Sequence, residues 1–301
     1  ELGELGRALI NSDAEHMVFV VTRPDRDFCE AIFERSSGIF MAQCDPVALY
    51  AQELKSLPKQ LQFAARSVVN DLAPLLSIRE AGNAFMIQPG GVTSNLHGTL
   101  TSIADNLPFT VTEDDIDAVV DMHPNFIRDY SWLDDASVLE GLFDRLKDPV
   151  SQEFQIVASQ LRNAMTIGKP GRLQLGRAFF LTGLEEAVPV TGPLDLTGDA
   201  RCLIFGPNVS LPVGNWRVAM NLAFESKLIG TDYTMDVAYM ANGEAHVLAQ
   251  TPFTVQFEGT TEVSATIVVS DPNVHLEFRL FSGRAIFDGL CVLGGVELKR
   301  L

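Results

Sequence analysis

The apolar residues of this 301-residue chain change their spacing near Lys169. Before that point they recur at intervals of three and four, which is typical of amphipathic helices. Beyond Ala200 they recur at every second residue, which is typical of half-buried β-strands. The apolar side of a helix and the apolar face of a sheet each have to pack against another element. The change of spacing therefore predicts a multidomain α+β chain. Its parts would be a mostly helical α/β domain over 1–168, a linker or irregular segment over 169–199, and an all-β sandwich over 200–301.

Local signals place the elements of the N-terminal part. Asp45 before Pro46 predicts a helix start, because an aspartate caps and a proline fits the first helical position. Thr112 and Asp115 resemble a capping box at another start. Pro74 is expected to disturb the end of its helix. The predicted strands are 14–22 and 84–88, and the predicted helices are 26–36, 45–57, 59–77, 94–106, 112–123, 136–147 and 151–165.

The C-terminal third alternates most clearly between Trp216 and Phe224, where every second residue is apolar. This pattern predicts an antiparallel strand with one face in the core. Strand-length runs recur at the spacing expected of a sandwich. The predicted strands are 201–205, 215–225, 232–240, 244–250, 252–258, 261–269, 274–281, 284–288 and 290–298.

The formal net charge of −17, from 22 basic and 39 acidic residues, makes nucleic acid and anionic membranes poor partners. No apolar run is long enough to span a membrane, and no signal-peptide pattern is visible, so we expect a cytoplasmic protein without membrane insertion. The four cysteines have no CxxC or zinc-ligand spacing. Free thiols are therefore favoured, although Cys202 and Cys291 could approach each other in a sandwich. The sequence leaves the oligomeric state unknown.

Residues 206–218, with a Gly-Pro turn, a Pro-x-Gly turn and then Trp216-Arg217-Val218, resemble a segment of bacterial carbohydrate-binding jelly rolls. The stretches 274–281 and 296–298 fit the same pattern, so the resemblance covers 200–301. It implies a jelly-roll-like sandwich and a saccharide or protein partner. The residues that could stack on a sugar or bond its hydroxyls are Trp216, Arg217, Tyr233, Tyr239, Asn242 and His246.

Core roles compete with those binding roles. Trp216 begins the inward register of its strand, and Tyr233 and Tyr239 share one face of another. His246 is a lone histidine with no partner in the pattern. Bound calcium is common in such sandwiches, and Asp271, Glu277 and Asp288 are its possible ligands. The dense acidic loop that calcium needs is not visible, so we expect neither a metal site nor another cofactor.

Thr22-Arg23-Pro24-Asp25-Arg26-Asp27, between a predicted strand and helix, resembles the second phosphate-binding segment of sulfotransferases. The resemblance covers 15–125 and implies that Arg23 and Arg26 bind a donor phosphate, as guanidinium groups at a helix N-terminus can. It departs from that family because no phosphate-binding P-loop precedes the strand in this sequence. Solvated or structural roles for the two arginines remain open.

These observations favour a non-catalytic carbohydrate- or partner-binding protein in bacterial polysaccharide or glycan metabolism. The alternative is an enzyme, a partial or degenerate sulfotransferase-like transferase that uses an adenosine-type sulfate donor. No nucleophile, general base or metal spacing identifies catalytic residues.

Overall fold

The computed structural model describes residues 39–42, 45–56, 60–80, 84–87, 96–105, 110–122, 147–167, 171–184 and 186–301. The elements predicted at 14–22 and 26–36 lie outside these ranges, and so do residues 136–146 of the helix predicted over 136–147. The observed helices and sheets confirm the predicted α+β class. None of the helices in the described ranges is long and apolar enough to cross a membrane.

The described N-terminal ranges contain a pair of parallel strands and five helices. These are β1 (Ile39–Ala42), α1 (Pro46–Ser56), α2 (Leu61–Glu80), β2 (Ala84–Ile87), α3 (Leu96–Ala104), α4 (Glu113–Met122) and α5 (Pro149–Ile167). Both predicted caps are confirmed. Asp45 Oδ1 accepts from Val47 N at 2.7 Å, and Asp115 N donates to Thr112 Oγ1 at 3.3 Å while Asp115 Oδ2 accepts from Thr112 N at 3.0 Å.

Two N-terminal features differ from the sequence prediction. Strand β1 was not predicted, because four apolar residues carry too little periodicity to identify a strand. Helix α2 continues through Pro74 as far as Glu80. A proline inside a helix removes one backbone hydrogen bond, and tertiary packing offsets that loss here because Leu72, Ala73 and Leu76 around it are buried.

The C-terminal part is a β-sandwich of two mainly antiparallel sheets. Sheet I has the order β10-β9-β12-β6-β4, with β7 also paired to β12, and sheet II has the order β11-β8-β13-β3, with β5 also paired to β13. The strands are β3 (Arg172–Leu175), β4 (Leu181–Thr182), β5 (Leu194–Asp195), β6 (Cys202–Phe205), β7 (Pro207–Val209), β8 (Gly214–Phe224), β9 (Asp232–Ala241), β10 (Glu244–Thr254), β11 (Gly259–Val269), β12 (Leu276–Ser282) and β13 (Leu290–Arg300).

The inner faces of the two sheets form the core of the sandwich. The predicted alternation of β8 is confirmed, since its apolar side chains from Trp216 to Phe224 are buried at every second position. Phe224 of sheet II meets Tyr233 of sheet I with ring centroids 5.1 Å apart. The two described cysteines, Cys202 and Cys291, are free thiols, and burial raises their pKa values to about 11 and about 12.

Two strand predictions were wrong. The runs 244–250 and 252–258 form one strand, β10, which continues through Pro252 because β10 is an edge strand, where proline is tolerated. The run 284–288 is a loop that makes only one isolated bridge, between Ile286 and Gly198. Its alternation reflects a single buried side chain, Ile286, beside an exposed Phe287.

Residues 169–199 contribute three short strands, β3, β4 and β5, to the two sheets. Helix α5 packs against β3, helix α2 packs against β7 and α5, and α1 packs against both helices. One continuous set of buried apolar residues runs from Val47 in α1 to Leu298 in β13. The helices and the sandwich therefore share a core.

Polar side chains of helix α2 bind the backbone beside β7. Asn70 Nδ2 donates to Asn208 O at 3.3 Å, and Asn70 Oδ1 accepts from Ser210 N at 2.7 Å. Two turns later, Ser77 Oγ accepts from Val213 N at 3.1 Å. The side-chain amide of Asn70 thus supplies the hydrogen-bond donor and acceptor that a neighbouring strand would supply at this edge.

Helix α5 covers the edge of β3 in the same way. Gln160 Oε1 accepts from Gln174 N at 2.7 Å, and Glu153 Oε2 accepts from Ala178 N at 2.7 Å. Burial raises the pKa of the Glu153 carboxyl group despite that bond. Backbone groups that a sheet edge would expose are thereby paired with side chains.

We predict that Asn70→Ala lowers the free energy of unfolding by about 1–3 kcal/mol, because it leaves the Ser210 amide and the Asn208 carbonyl unpaired. Urea denaturation measures the change. The matched control, Asn215→Ala, removes an exposed side chain and should cost less than about 0.5 kcal/mol. Equal losses in the two variants would contradict the role given to Asn70.

Candidate ligand-binding surface

Four polar or charged residues lie close together on the outer face of sheet I. Strand register places Gln250, Asp236 and Arg279 side by side on β10, β9 and β12. Glu277 lies two residues before Arg279 on the same face of β12, opposite Ala238. We call the surface formed by Asp236, Gln250, Glu277 and Arg279 the charged face.

Asp236 and Arg279 form a two-point ion pair at the centre of the charged face. Arg279 Nε donates to Asp236 Oδ1 and Arg279 Nη2 donates to Asp236 Oδ2, each at 2.7 Å. The Asp236 side chain is only 5% exposed and the Arg279 side chain only 15%, so solvent screens their attraction little. Hydrogen bonding to Asp236 raises the pKa of the Arg279 guanidinium, which keeps the pair charged.

The carboxyl group of Glu277 differs from that of Asp236 in its hydrogen bonding and its pKa. Burial raises the pKa of its carboxyl group, and the guanidinium groups of Arg279 and Arg66 only partly offset that effect. Its carboxylate makes no hydrogen bond within the described part of the chain. Glu277 therefore offers acceptor oxygens to a ligand.

Apolar side chains flank the charged groups on the same face. Met240 and Val247, at the end of the sheet near the β9–β10 hairpin, are 55% and 50% exposed. Toward the other end Phe281 lies opposite Thr234, and the Arg279 guanidinium lies 5.3 Å from the centre of the Phe281 ring. The charged face is thus a polar centre between two apolar margins.

We predict that Arg279→Met destabilises the fold by about 3–5 kcal/mol, because the Asp236 carboxylate would remain buried without its partner. The double variant Arg279→Met/Asp236→Leu removes both charges and should be more stable than the single variant. The control Arg217→Met breaks the exposed ion pair with Glu262 and should cost less than about 1 kcal/mol. Urea denaturation of the three variants measures these differences, and a double variant no more stable than the single one would contradict the argument.

We predict that Glu277→Gln raises the melting temperature at about pH 8 but not at about pH 3.5. Glutamate in an unfolded chain ionises near pH 4.3, whereas burial raises the pKa of Glu277 in the folded protein. As the pH rises between those two pKa values, the folded state binds the proton more tightly than the unfolded state and wild type loses stability. Thermal melts at both pH values measure the gap between variant and wild type; a gap that does not change with pH would refute the assignment.

Only three of the six residues predicted from sequence as sugar ligands come together. The rings of Trp216 and Tyr233 are buried in the core and present no surface to a ligand, and Trp216 Nε1 donates to Pro212 O at 2.8 Å. Arg217 lies on the outer face of sheet II, where it pairs with Glu262.

The other three predicted residues share the β9–β10 hairpin. Tyr239 and the exposed His246 are cross-strand partners, with rings 5.1 Å apart and inclined by 14°. Asn242 has φ of 53° and Gly243 has φ of 81°, values that suit a two-residue hairpin turn. The turn explains why an Asn-Gly pair stands at this position.

The predicted calcium ligands are engaged elsewhere or stand apart. Asp288 accepts from Lys227 Nζ at 2.5 Å, and Asp271 accepts from Asn273 N at 2.9 Å. Within the described ranges, no three His, Cys, Asp or Glu side chains are grouped so that they could hold a metal ion. The predicted phosphate ligands Arg23 and Arg26 lie outside the described residues.

Sequence reasoning missed the charged face as a site. Its only signals were charged residues inside apolar alternation, Asp236 in one strand and Glu277 with Arg279 in another. Such residues read as the solvated side of a strand until the register of β9 against β12 is known.

No protein-family model matches the chain, and no curated protein matches it in sequence. Solved structures that match part of the chain include the C-terminal CBM6 of LamC, a marine laminarinase from Zobellia galactanivorans, at 16% identity and a TM-score of 0.27, covering 43% of this chain and 99% of that one. The xylan-binding module CBM15 matches at 8% identity and a TM-score of 0.32, covering 43% and 95%. Cowpea mosaic virus empty particles match at 8% identity and a TM-score of 0.23, covering 30% and 53%. Each of these matches covers less than half of this chain.

Proposed function

We propose that this chain is a non-catalytic binding protein whose charged face holds a neutral saccharide. The observation that supports the proposal is the buried Asp236–Arg279 ion pair with Glu277 beside it, on the outer face of a sheet. Gln250, which lies beside Asp236 on β10, is exposed and so can be reached by a ligand.

The charged face matches the chemistry of sugar hydroxyl groups. Each hydroxyl both donates and accepts a hydrogen bond, so neighbouring hydroxyls suit a guanidinium beside a carboxylate. Arg279 uses Nε and Nη2 on Asp236 and has further N–H groups for a ligand, while Glu277 supplies acceptors. Gln250 supplies one donor group and one acceptor.

The margins of the charged face suit the apolar side of a sugar ring. Met240, Val247 and Phe281 offer apolar surface on either side of the polar centre. Binding sites of this kind combine apolar contact area with a few fixed polar groups that set orientation. The ion pair fixes the orientation of Arg279 before a ligand arrives, which lowers the entropy lost on binding.

Charge favours a neutral ligand over an anionic one. Asp236 and Arg279 neutralise each other, and the charge of Arg66 is balanced by Glu277, so the charged face has no excess positive charge to hold a sulfate or uronate. The net charge of −17 adds a long-range repulsion of anions.

The hydrogen bonding of the carboxylates supports binding rather than catalysis. Both oxygens of Asp236 are bonded to Arg279, so this carboxylate is poorly suited to transfer a proton. Glu277 alone does not supply the two cooperating carboxyl groups that glycoside hydrolysis requires. The wider proposal, a role in bacterial polysaccharide or glycan metabolism, depends on which saccharide binds.

We predict that Gln250→Ala weakens saccharide binding about tenfold, the effect of losing one or two hydrogen bonds. The full chain is first screened against neutral β-1,4-linked glucose, xylose and mannose oligosaccharides. Calorimetry on the oligosaccharide that binds most tightly then compares wild type with the variant. Gln256→Ala is the matched control, because Gln256 is an exposed glutamine in the β10–β11 loop, outside the charged face.

Failure of wild type to bind any of these sugars at millimolar concentration would refute the proposal and favour a protein partner. Equal weakening by Gln250→Ala and Gln256→Ala would move the site away from the charged face.

A further inference from the structure

Helix α2 carries three side chains along one side, and two of them, Arg66 and Asn70, bind the backbone of β7. Phe63, Arg66 and Asn70 are spaced three and four residues apart, so they lie along the same side of the helix. The bonds of Asn70 to the backbone of Asn208 and Ser210 fix the rotation and height of the helix at this point. Arg66 and Phe63 are thereby held at a defined place beside the sheet.

Arg66 connects the helix to the edge strand. Its Nη1 donates to Pro207 O at 3.2 Å, and its Cζ lies 4.2 Å from the centre of the Phe63 ring. Its Nε is buried and has no hydrogen-bond partner within the described residues. Burial lowers the pKa of the Arg66 guanidinium, and the charge of Glu277 opposes that shift.

Strand register shows where Arg66 stands relative to the charged face. One row of paired residues crosses four strands of sheet I. It runs from Pro207 of β7 through Glu277 of β12 and Ala238 of β9 to Val247 of β10. With neighbouring strands about 4.8 Å apart, this row crosses about 14 Å of sheet from β10 to β7. Arg66 continues the row onto the helix.

Phe63 lies about one helical turn before Arg66. Its side chain is 56% exposed, although the Arg66 guanidinium lies against the ring. The guanidinium restricts the ring, so an aromatic surface is available in a fixed position. Aromatic rings held in this way are suited to stacking against the apolar side of a ligand.

We infer that the saccharide of the proposed function extends from the charged face across β7 onto helix α2, where Phe63 forms a stacking platform for a further sugar unit. The inference rests on the proposed function and adds that the ligand is a chain rather than a single sugar. Arg66 is then a positioning residue, because it orients the Phe63 ring. The binding surface is built jointly by the helices and the sandwich.

Phe63→Ala tests this extension with oligosaccharides of increasing length. The hexasaccharide found in the screen should bind about three- to tenfold more weakly to the variant than to wild type, because a stacking contact is lost. The corresponding disaccharide, which fits on the charged face alone, should bind both proteins equally. The matched control is Phe257→Ala, since Phe257 is 55% exposed in a loop at one end of the sandwich.

Hydroxyl-radical footprinting of the wild-type chain gives a readout that needs no variant. The hexasaccharide should protect Phe63 from oxidation and leave Phe257 unprotected. If Phe63→Ala binds the hexasaccharide as tightly as wild type and Phe63 is not protected, the extension is wrong while the proposed function stands. If wild type binds no saccharide, both are wrong.

Discussion

The pairing of open sheet edges with helix side chains is the constraint on which the rest of this structure depends. A sandwich leaves unpaired amide and carbonyl groups along its outermost strands, and these groups need partners wherever a helix covers them. Asn70 and Ser77 of helix α2 bind the backbone beside β7, and Gln160 of helix α5 binds that of β3. Because these bonds are directional, the helices dock in one register over the shared apolar core.

That register also connects the fold to the charged face. A helix held only by apolar contacts could slide along the sheet edge, whereas the two-point contact of Asn70 fixes α2 relative to β7. Arg66, one turn earlier, is consequently held next to Pro207 and within electrostatic range of Glu277. The helical part and the sandwich therefore build one continuous surface.

The ion pair on the outer face of sheet I is costly as a source of stability. Desolvation of Asp236 and Arg279 offsets much of their attraction, and two apolar residues could pack at the same positions with no such loss. The proposed function accounts for that cost, because a rigid, directional donor and acceptor on an outer sheet face can orient a ligand. The same reasoning applies to Glu277, whose burial disfavours its charge and which has no hydrogen-bond partner among the described residues.

The sequence by itself determined the α+β class, the helix starts at Asp45 and Thr112, and the inward alternation from Trp216 to Phe224, because caps and periodicity act over a few neighbouring residues. Local pattern misjudged the run 284–288 and divided β10 at Pro252, since strand formation there depends on whether a partner strand lies alongside. Only the tertiary structure decided that Asp236 and Arg279, 43 residues apart, form an ion pair. It also decided that Arg66 binds Pro207 of β7, the residue that pairs with Glu277 of β12. Those contacts depend on strand register and helix docking, which are set by the packing of the whole core rather than by any single segment.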